Sequence, residues 1–265
     1  MKLGFRVLLQ GAPGDGKTFS LNTLTKECDL NTFVVLLEPA EHVLESHPKM
    51  HYSYLSTYKK TWKQISVGAE RIRKLSNAQL QITDGNKKDF LQFYELMEIL
   101  NNFTDQRGES FGCSEEWGHN SVLVIDSLTG LTKITQTLAV GDKPCLTQPD
   151  YQVVMNTLAG LIDKLALDLT CHIVLIAHLA SERDELTGAI KRMPWTFGQK
   201  LAPIIPKDFP DSVLAYRDGT KFRWSTLNDK YILKHALLPM SADQRPSFKP
   251  IYDGWKKRQE EEEKP

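Results

Sequence analysis

Apolar residues along this chain fall into short unbroken runs, alternating with stretches where they recur every three or four positions. "GFRVLLQ" (4–10) stops at Gly11, the pattern of a buried strand entering a turn. Residues 17–27 carry helical character, and "TFVVLLEP" (32–39) is a second buried strand that Pro39 ends. "SVLVIDS" (121–127) and "CHIVLIAH" (171–178) supply two more, with a helix predicted over 150–169 between them. "DSVLAYRDGTKFRWST" (211–226) reads as two strands joined at Asp218-Gly219. The pattern changes over 56–119. Two amphipathic helices are expected there, in 56–75 and 84–103, the second with Phe90, Phe93, Tyr94, Met97 and Leu100 on one face, before a glycine-containing loop. The chain ends in "KKRQEEEEKP", a charged tail without a core face, expected to be disordered.

No internal repeat interrupts this order. Apolar strands alternating with helices predict an α/β fold: a mostly parallel central sheet flanked by helices, with antiparallel strands at one edge. The expected division is a core over 1–245, with a helical insertion at about 47–119, and a charged C-terminal tail over 246–265.

Composition narrows the function less than the pattern does. A chain of 265 residues, 41% hydrophobic and 25% charged, can bury a full core. Lysine plus arginine equals aspartate plus glutamate, 33 each, so any basic surface must be local. The 4 cysteines show no C-x-x-C pair, which argues against a disulfide framework or a zinc site and suits a reducing cytoplasm. No run is long enough to span a bilayer, so a membrane partner is not expected.

The strongest chemical signal is "GAPGDGKT", a match to G-x-x-x-x-G-K-[ST] placed between a strand and a helix. In such a loop backbone N–H groups curl around phosphates, with Gly11, Ala12, Pro13, Gly14, Asp15, Gly16, Lys17, Thr18 and Phe19 forming the expected nucleotide cradle. Lys17 reaches the β and γ oxygens, and the Thr18 hydroxyl ligates Mg2+. The partner acid should end a buried strand beside the loop. "SVLVIDS" supplies Asp126, placed to hold the metal through water, with Ser127 after it.

With these residues in view, the chain resembles the RecA-like core ATPases, most closely the small phage-encoded ones tied to single-strand annealing and recombination. Three further stretches carry the resemblance, which spans roughly 3–235. "LLEPAEHVLE" is similar to the family's acid-x-glutamate-histidine segment and implies Glu41, followed by His42, as the residue that activates the attacking water. Glu38 at the strand end is its rival. "VLIAHLASE" is similar to the strand whose last polar residue senses the γ-phosphate, here His178. "GTKFRWS" resembles the K-x-R element that reaches a neighbouring subunit's nucleotide, giving Lys221 and Arg223. Read without the family, His178 is equally a polar strand end, and the two cations a solvated sheet face.

The resemblance implies ATP and Mg2+ as cofactors and a homo-oligomer with nucleotide at the subunit interface. The phosphate loop begins at residue 11, which leaves no room for a separate polymerisation module and favours a ring or short stack over a classical filament. The implied partner is single-stranded DNA, with phage or host replication and recombination proteins beside it. "SERDELTGAIKRMPWTFGQK" offers Lys191, Arg192, Trp195 and Lys200 as backbone charge with a stacking surface, and Gly188 for the hairpin tip. Lys133 and Lys143, after Asp126, are a weaker DNA candidate. The 47–119 region reads as a solvated helical cap. Its alternative use, as a docking surface with Lys59, Lys60, Lys63, Arg71, Arg73 and Lys74 near Tyr54, Tyr58 and Trp62, would make the chain a nucleotide-switched helicase loader or assembly factor. A small-molecule kinase lacks support, because no arginine-rich lid follows the core helices.

Overall fold

In the computed structural model, which describes residues 2–183, 190–197 and 200–263, each apolar run becomes a strand. β1 (Arg6–Gly11) passes through the phosphate loop into α1 (Lys17–Ser20) and α2 (Asn22–Lys26). β2 (Asn31–Leu36), β3 (Met50–Tyr54), α3 (Trp62–Arg73), α4 (Asn77–Ile82) and α5 (Gln92–Asn101) follow. Next come β4 (Ser121–Asp126), α6 (Leu128–Val140), α7 (Gln148–Leu167), β5 (His172–Arg183) and β6 (Ile190–Pro194). β7 (Asp211–Asp218), β8 (Lys221–Ser225), β9 (Lys234–His235) and α8 (Lys249–Glu262) complete the order.

Along the sheet the strands run β3-β2-β4-β5-β1-β7-β8, with β6 on β5 and β9 on β7. The pairs among β1, β2, β3, β4, β5 and β7 are parallel; β6, β8 and β9 pair antiparallel. Both faces are covered, which is why the central strands read as continuous apolar runs rather than as an alternation. Leu8, Phe33, Val35, Leu123, Ile125, Ile173 and Leu175 join one core, which α6 and α7 cover through residues such as Ile134 and Leu158. Val7, Leu9, Val34, Leu36, Val122, Val124, Val174 and Ile176 point the other way, against Leu21, Leu24 and α8. This is the doubly covered α/β architecture the pattern predicts.

Three expectations are corrected. The tail is not without a core face: Phe248, Ile251 and Tyr252 are buried, and Trp255 Nε1 donates to the Leu3 carbonyl at 3.1 Å. The spacing 248, 251, 252, 255 is that of one helix face, and it ends just before the charged run. The segment after Asp126 is mostly helix, and its connector is pinned by an ion pair between Lys143 and Asp150 at 2.8 Å. The 47–119 insertion is not helical throughout, because Met50–Tyr54 adds a parallel strand to β2. As expected, Asp126 ends a buried strand beside the phosphate loop, with β5 lying between β1 and β4. Among the described residues no helix is long and apolar enough to cross a membrane.

Candidate nucleotide site

Gly14 and Gly16 take φ of 85° and 78°, a region L side chains rarely adopt, so the loop's path depends on glycine there. A Cβ on Gly16 would also lie 2.7 Å from the Phe222 ring, so β8 packs directly on the loop. The Asp15 carboxylate accepts from the Ala12 N–H at 2.7 Å and closes the turn. Lys17 is buried, and its ammonium donates to the Gly11 and Ala12 carbonyls at 2.9 and 2.8 Å. Its charge therefore sits inside the loop. Burial lowers its pKa, opposed first by the negative charge of Asp126.

Strand register assembles the rest. Gly11 stands beside His178, Leu36 beside Asp126, and Asp126 beside Ile176. The phosphate loop, Glu38, Asp126 and His178 thus all emerge at the carboxyl edge of the sheet, where open α/β folds bind ligands. The Thr18 hydroxyl bridges across β5 and donates to Asp126 Oδ2 at 2.6 Å. Burial raises the Asp126 pKa and the nearby Glu38 charge adds to this, while the Thr18 bond pulls it down. A buried carboxylate beside a threonine hydroxyl pairs two hard oxygen ligands, a donor set that fits a hard divalent cation with phosphate.

Glu38 is the hub of a second constellation. Its Oε2 lies 2.9 Å from His178 Nε2, and its Oε1 accepts from the Ser127 hydroxyl at 2.6 Å. Ser127 also caps α6, accepting from the Gly130 N–H at 3.4 Å. The bonds from His178 and then Ser127, against the cost of burial, hold the Glu38 carboxyl down to about 2. Glu38 is therefore ionised near neutrality, and the proton between the pair belongs to His178 Nε2. His178 Nδ1 is buried with no hydrogen-bond partner among the described residues.

Glu41 sits elsewhere. It begins an exposed 3-10 turn, and among the described residues its side chain makes no hydrogen bond or ion pair. The strand-end rival, not Glu41, is the carboxylate brought to Asp126 and His178. Ser127 was visible as the residue after the acid, but its bond to Glu38 depends on sheet order and could not be read. Phe222, missed as a site neighbour, faces the loop, with its ring centroid 6.0 Å from that of Phe19. Lys221 and Arg223 alternate with it and take the other face. Lys221 is exposed, and Arg223 Nε lies 3.3 Å from Asp243 Oδ1.

The expected DNA residues divide. Arg192 and Trp195 flank the end of β6, with Trp195 36% exposed. Lys200 lines a groove of 280 Å³ beside α7, with Met155, Ile162 and Leu201. The side chain of Lys191, and Gly188 altogether, lie outside the described residues. In the insertion, Lys59 pairs with Glu95 and Lys60 with Asp142.

No curated protein matches the chain. Among solved structures, the N-terminal domain of zonular occludens toxin from Neisseria meningitidis is similar at 13% identity, with 95% of this chain and 98% of that chain covered and a TM-score of 0.30. The AAA domain family AAA_24 matches residues 3–218, the span that holds the phosphate loop, Asp126 and the parallel strands between them, and the chain belongs to that family of P-loop NTPases.

Proposed function

We propose that this protein is a RecA-like ATPase that binds single-stranded DNA and serves phage annealing or strand exchange. The observation that carries the ATPase half is the meeting of two polar sets at one sheet edge: Lys17, Thr18 and Asp126, and beside them Glu38, His178 and Ser127. Lys17 and the loop N–H groups would hold the phosphates, and Thr18 with Asp126 would hold Mg2+. When bound, Mg2+ neutralises charge on the phosphate oxygens. Glu38, ionised and fixed at both oxygens, is the carboxylate that orients the attacking water. At a pKa of about 2 it is a poor proton acceptor, so its contribution is placement more than proton abstraction. His178 holds Glu38 through Nε2, while its Nδ1 is buried with no hydrogen-bond partner among the described residues. A change at that nitrogen would reach β6 through the Trp195 N–H, which donates to the His178 carbonyl at 2.7 Å. Lys221 and Arg223, which alternate with the loop-facing Phe222, would serve a second copy's nucleotide.

The test is phosphate release from ATP with Mg2+, with and without single-stranded DNA. Stimulation supports the reading. Lys17→Ala should cut turnover roughly a hundredfold to a thousandfold, the cost of one donor aimed at transferring charge.

A second reading, a nucleotide-switched interaction module, has one observation in its favour. Helices α3 and α4 bury no side chain, and Trp62 is 86% exposed. Turnover that ignores DNA but responds to a replication protein would select it.

A further inference from the structure

Between β8 and β9 the chain does not stay on its own side of the sheet. As a strap it reaches the β5–β6 hairpin at Lys230 and Tyr231 and returns past β1 at Ile232 to pair with β7 as β9. Gln10, the residue before the phosphate loop, is fully buried; its Nε2 donates to Ser212 Oγ at 2.9 Å and to the Ile232 carbonyl at 2.9 Å. Ser212 Oγ donates to the same carbonyl at 3.0 Å. Two residues upstream, the Lys230 carbonyl accepts from the Arg192 N–H at 2.9 Å, and Tyr231 forms a parallel bridge with Arg192. The Arg192 guanidinium donates to the Tyr231 hydroxyl at 2.5 Å and lies 5.6 Å from the ring centroid.

We infer that the strap residues Lys230 and Tyr231, locked to Arg192, are a stacking and phosphate contact for single-stranded DNA that extends the surface carrying Trp195. The inference rests on the DNA reading above. Its support is chemical. A tyrosine fixed at its hydroxyl by a guanidinium that also lies over its ring is a pre-set aromatic group, and Lys230 and Arg192 beside it are cations; a partly exposed tryptophan follows on the same hairpin. Sequence-tolerant single-strand binding combines such aromatic faces with backbone-tracking cations. Asp229 on the strap opposes the charge, so the stack, more than the field, carries the contact. Anchorage by Gln10 ties this surface to the strand that leads into the nucleotide loop.

The experiment is fluorescence anisotropy of a labelled oligothymidylate with the full chain and three variants, each checked first by far-UV spectrum and thermal melt. Tyr231→Leu, which keeps bulk but loses the π-face, is expected to weaken binding about tenfold, and Tyr231→Phe to stay within about twofold. Lys230→Glu, on an exposed side chain with no packing role, should weaken binding and flatten its salt dependence by about one phosphate contact. If Tyr231→Leu and Lys230→Glu bind as the unaltered chain does, the strap contact is wrong while the DNA reading stands. If Tyr231→Phe is as weak as Tyr231→Leu, the aromatic ring does not carry the contact and the stack is refuted. If the unaltered chain binds no oligothymidylate, the DNA reading itself fails.

Discussion

At the scale of single residues, the site turns on which carboxylate touches what. Glu38 and Glu41 are three positions apart, and the pattern around them resembles a family segment in which the second is the active one. Once β2 lies beside β4, only Glu38 lies within bonding distance of Ser127 and His178. Glu38→Gln should therefore still bind ATP while turnover falls by about a hundredfold or more, and Glu41→Gln should stay near wild type. Steady-state phosphate release beside nucleotide binding by calorimetry separates them; the reverse ranking would return the role to Glu41. A second residue gives a pH prediction. His172 is fully buried: its Nδ1 accepts from the Phe5 N–H at 2.9 Å, and its Nε2 lies 2.9 Å from the His119 carbonyl. That pairing fixes the neutral ring, and burial lowers its pKa from 6.5 to about 3. Above pH 6.5 neither the folded nor the unfolded chain protonates it, so it adds no pH dependence there. As pH falls below 6.5 the unfolded chain takes up the proton first, and stability drops by about 1.4 kcal/mol per pH unit until the folded ring titrates. Urea unfolding between pH 6.5 and 5, above the range of the carboxylates, reads this slope. Proton NMR of the His172 ring should show no titration in the same window, and a midpoint near 6.5 would refute the buried neutral ring.

At the scale of elements, burial separates two helices that both carry many charges. α8 carries the glutamate run, yet Ile251 on its inner face is fully buried against the core behind β1. Ile251→Ala should cost about 2–4 kcal/mol, measured by chemical unfolding. α3 buries no side chain, so Trp62→Ala should change stability by no more than about 0.5 kcal/mol while altering any contact made through that face. The strands were readable because a two-sided core demands unbroken apolar runs: β4 lies within the stretch recognised from pattern alone, β1 and β2 overrun theirs by one residue, and β5 runs on to Arg183. α6 escaped notice because buried threonines, Thr132 and Thr135, interrupt its apolar face; their hydroxyls donate to the Leu128 and Leu131 carbonyls one turn back. α8 escaped because its apolar positions fill only its first two turns. The phosphate loop and Asp126 could be read because local spacing encodes them. Glu38 could be read only as the rival of Glu41, and Ser127 and Phe222 not as site neighbours, since their contacts come from which strand lies next to which.

At the scale of the molecule, the order of the strands decides how nucleotide state could travel. β5 sits between the phosphate-loop strand and the acid strand, so it is the one strand in register with both Gly11 and Asp126. It also extends past the sheet edge to pair with β6 at Leu179 through Arg183. Two connections therefore lead from the site to that hairpin: His178 at its base, held by Glu38, and the strap held by Gln10. They make different predictions. If the strap transmits, Gln10→Leu, which keeps side-chain volume but cannot donate to Ser212 or Ile232, should bring the ratio of oligonucleotide affinities in the ATP-analogue and ADP states towards one. Nucleotide binding itself should persist, because the residues proposed to contact phosphate begin after Gln10. Loss of two buried hydrogen bonds costs about 1–3 kcal/mol, so the variant must be compared well below its melting temperature. Anisotropy in both nucleotide states checks it: an unchanged ratio leaves His178 as the single link, and removing that link as well, with His178→Ala, should then abolish the dependence.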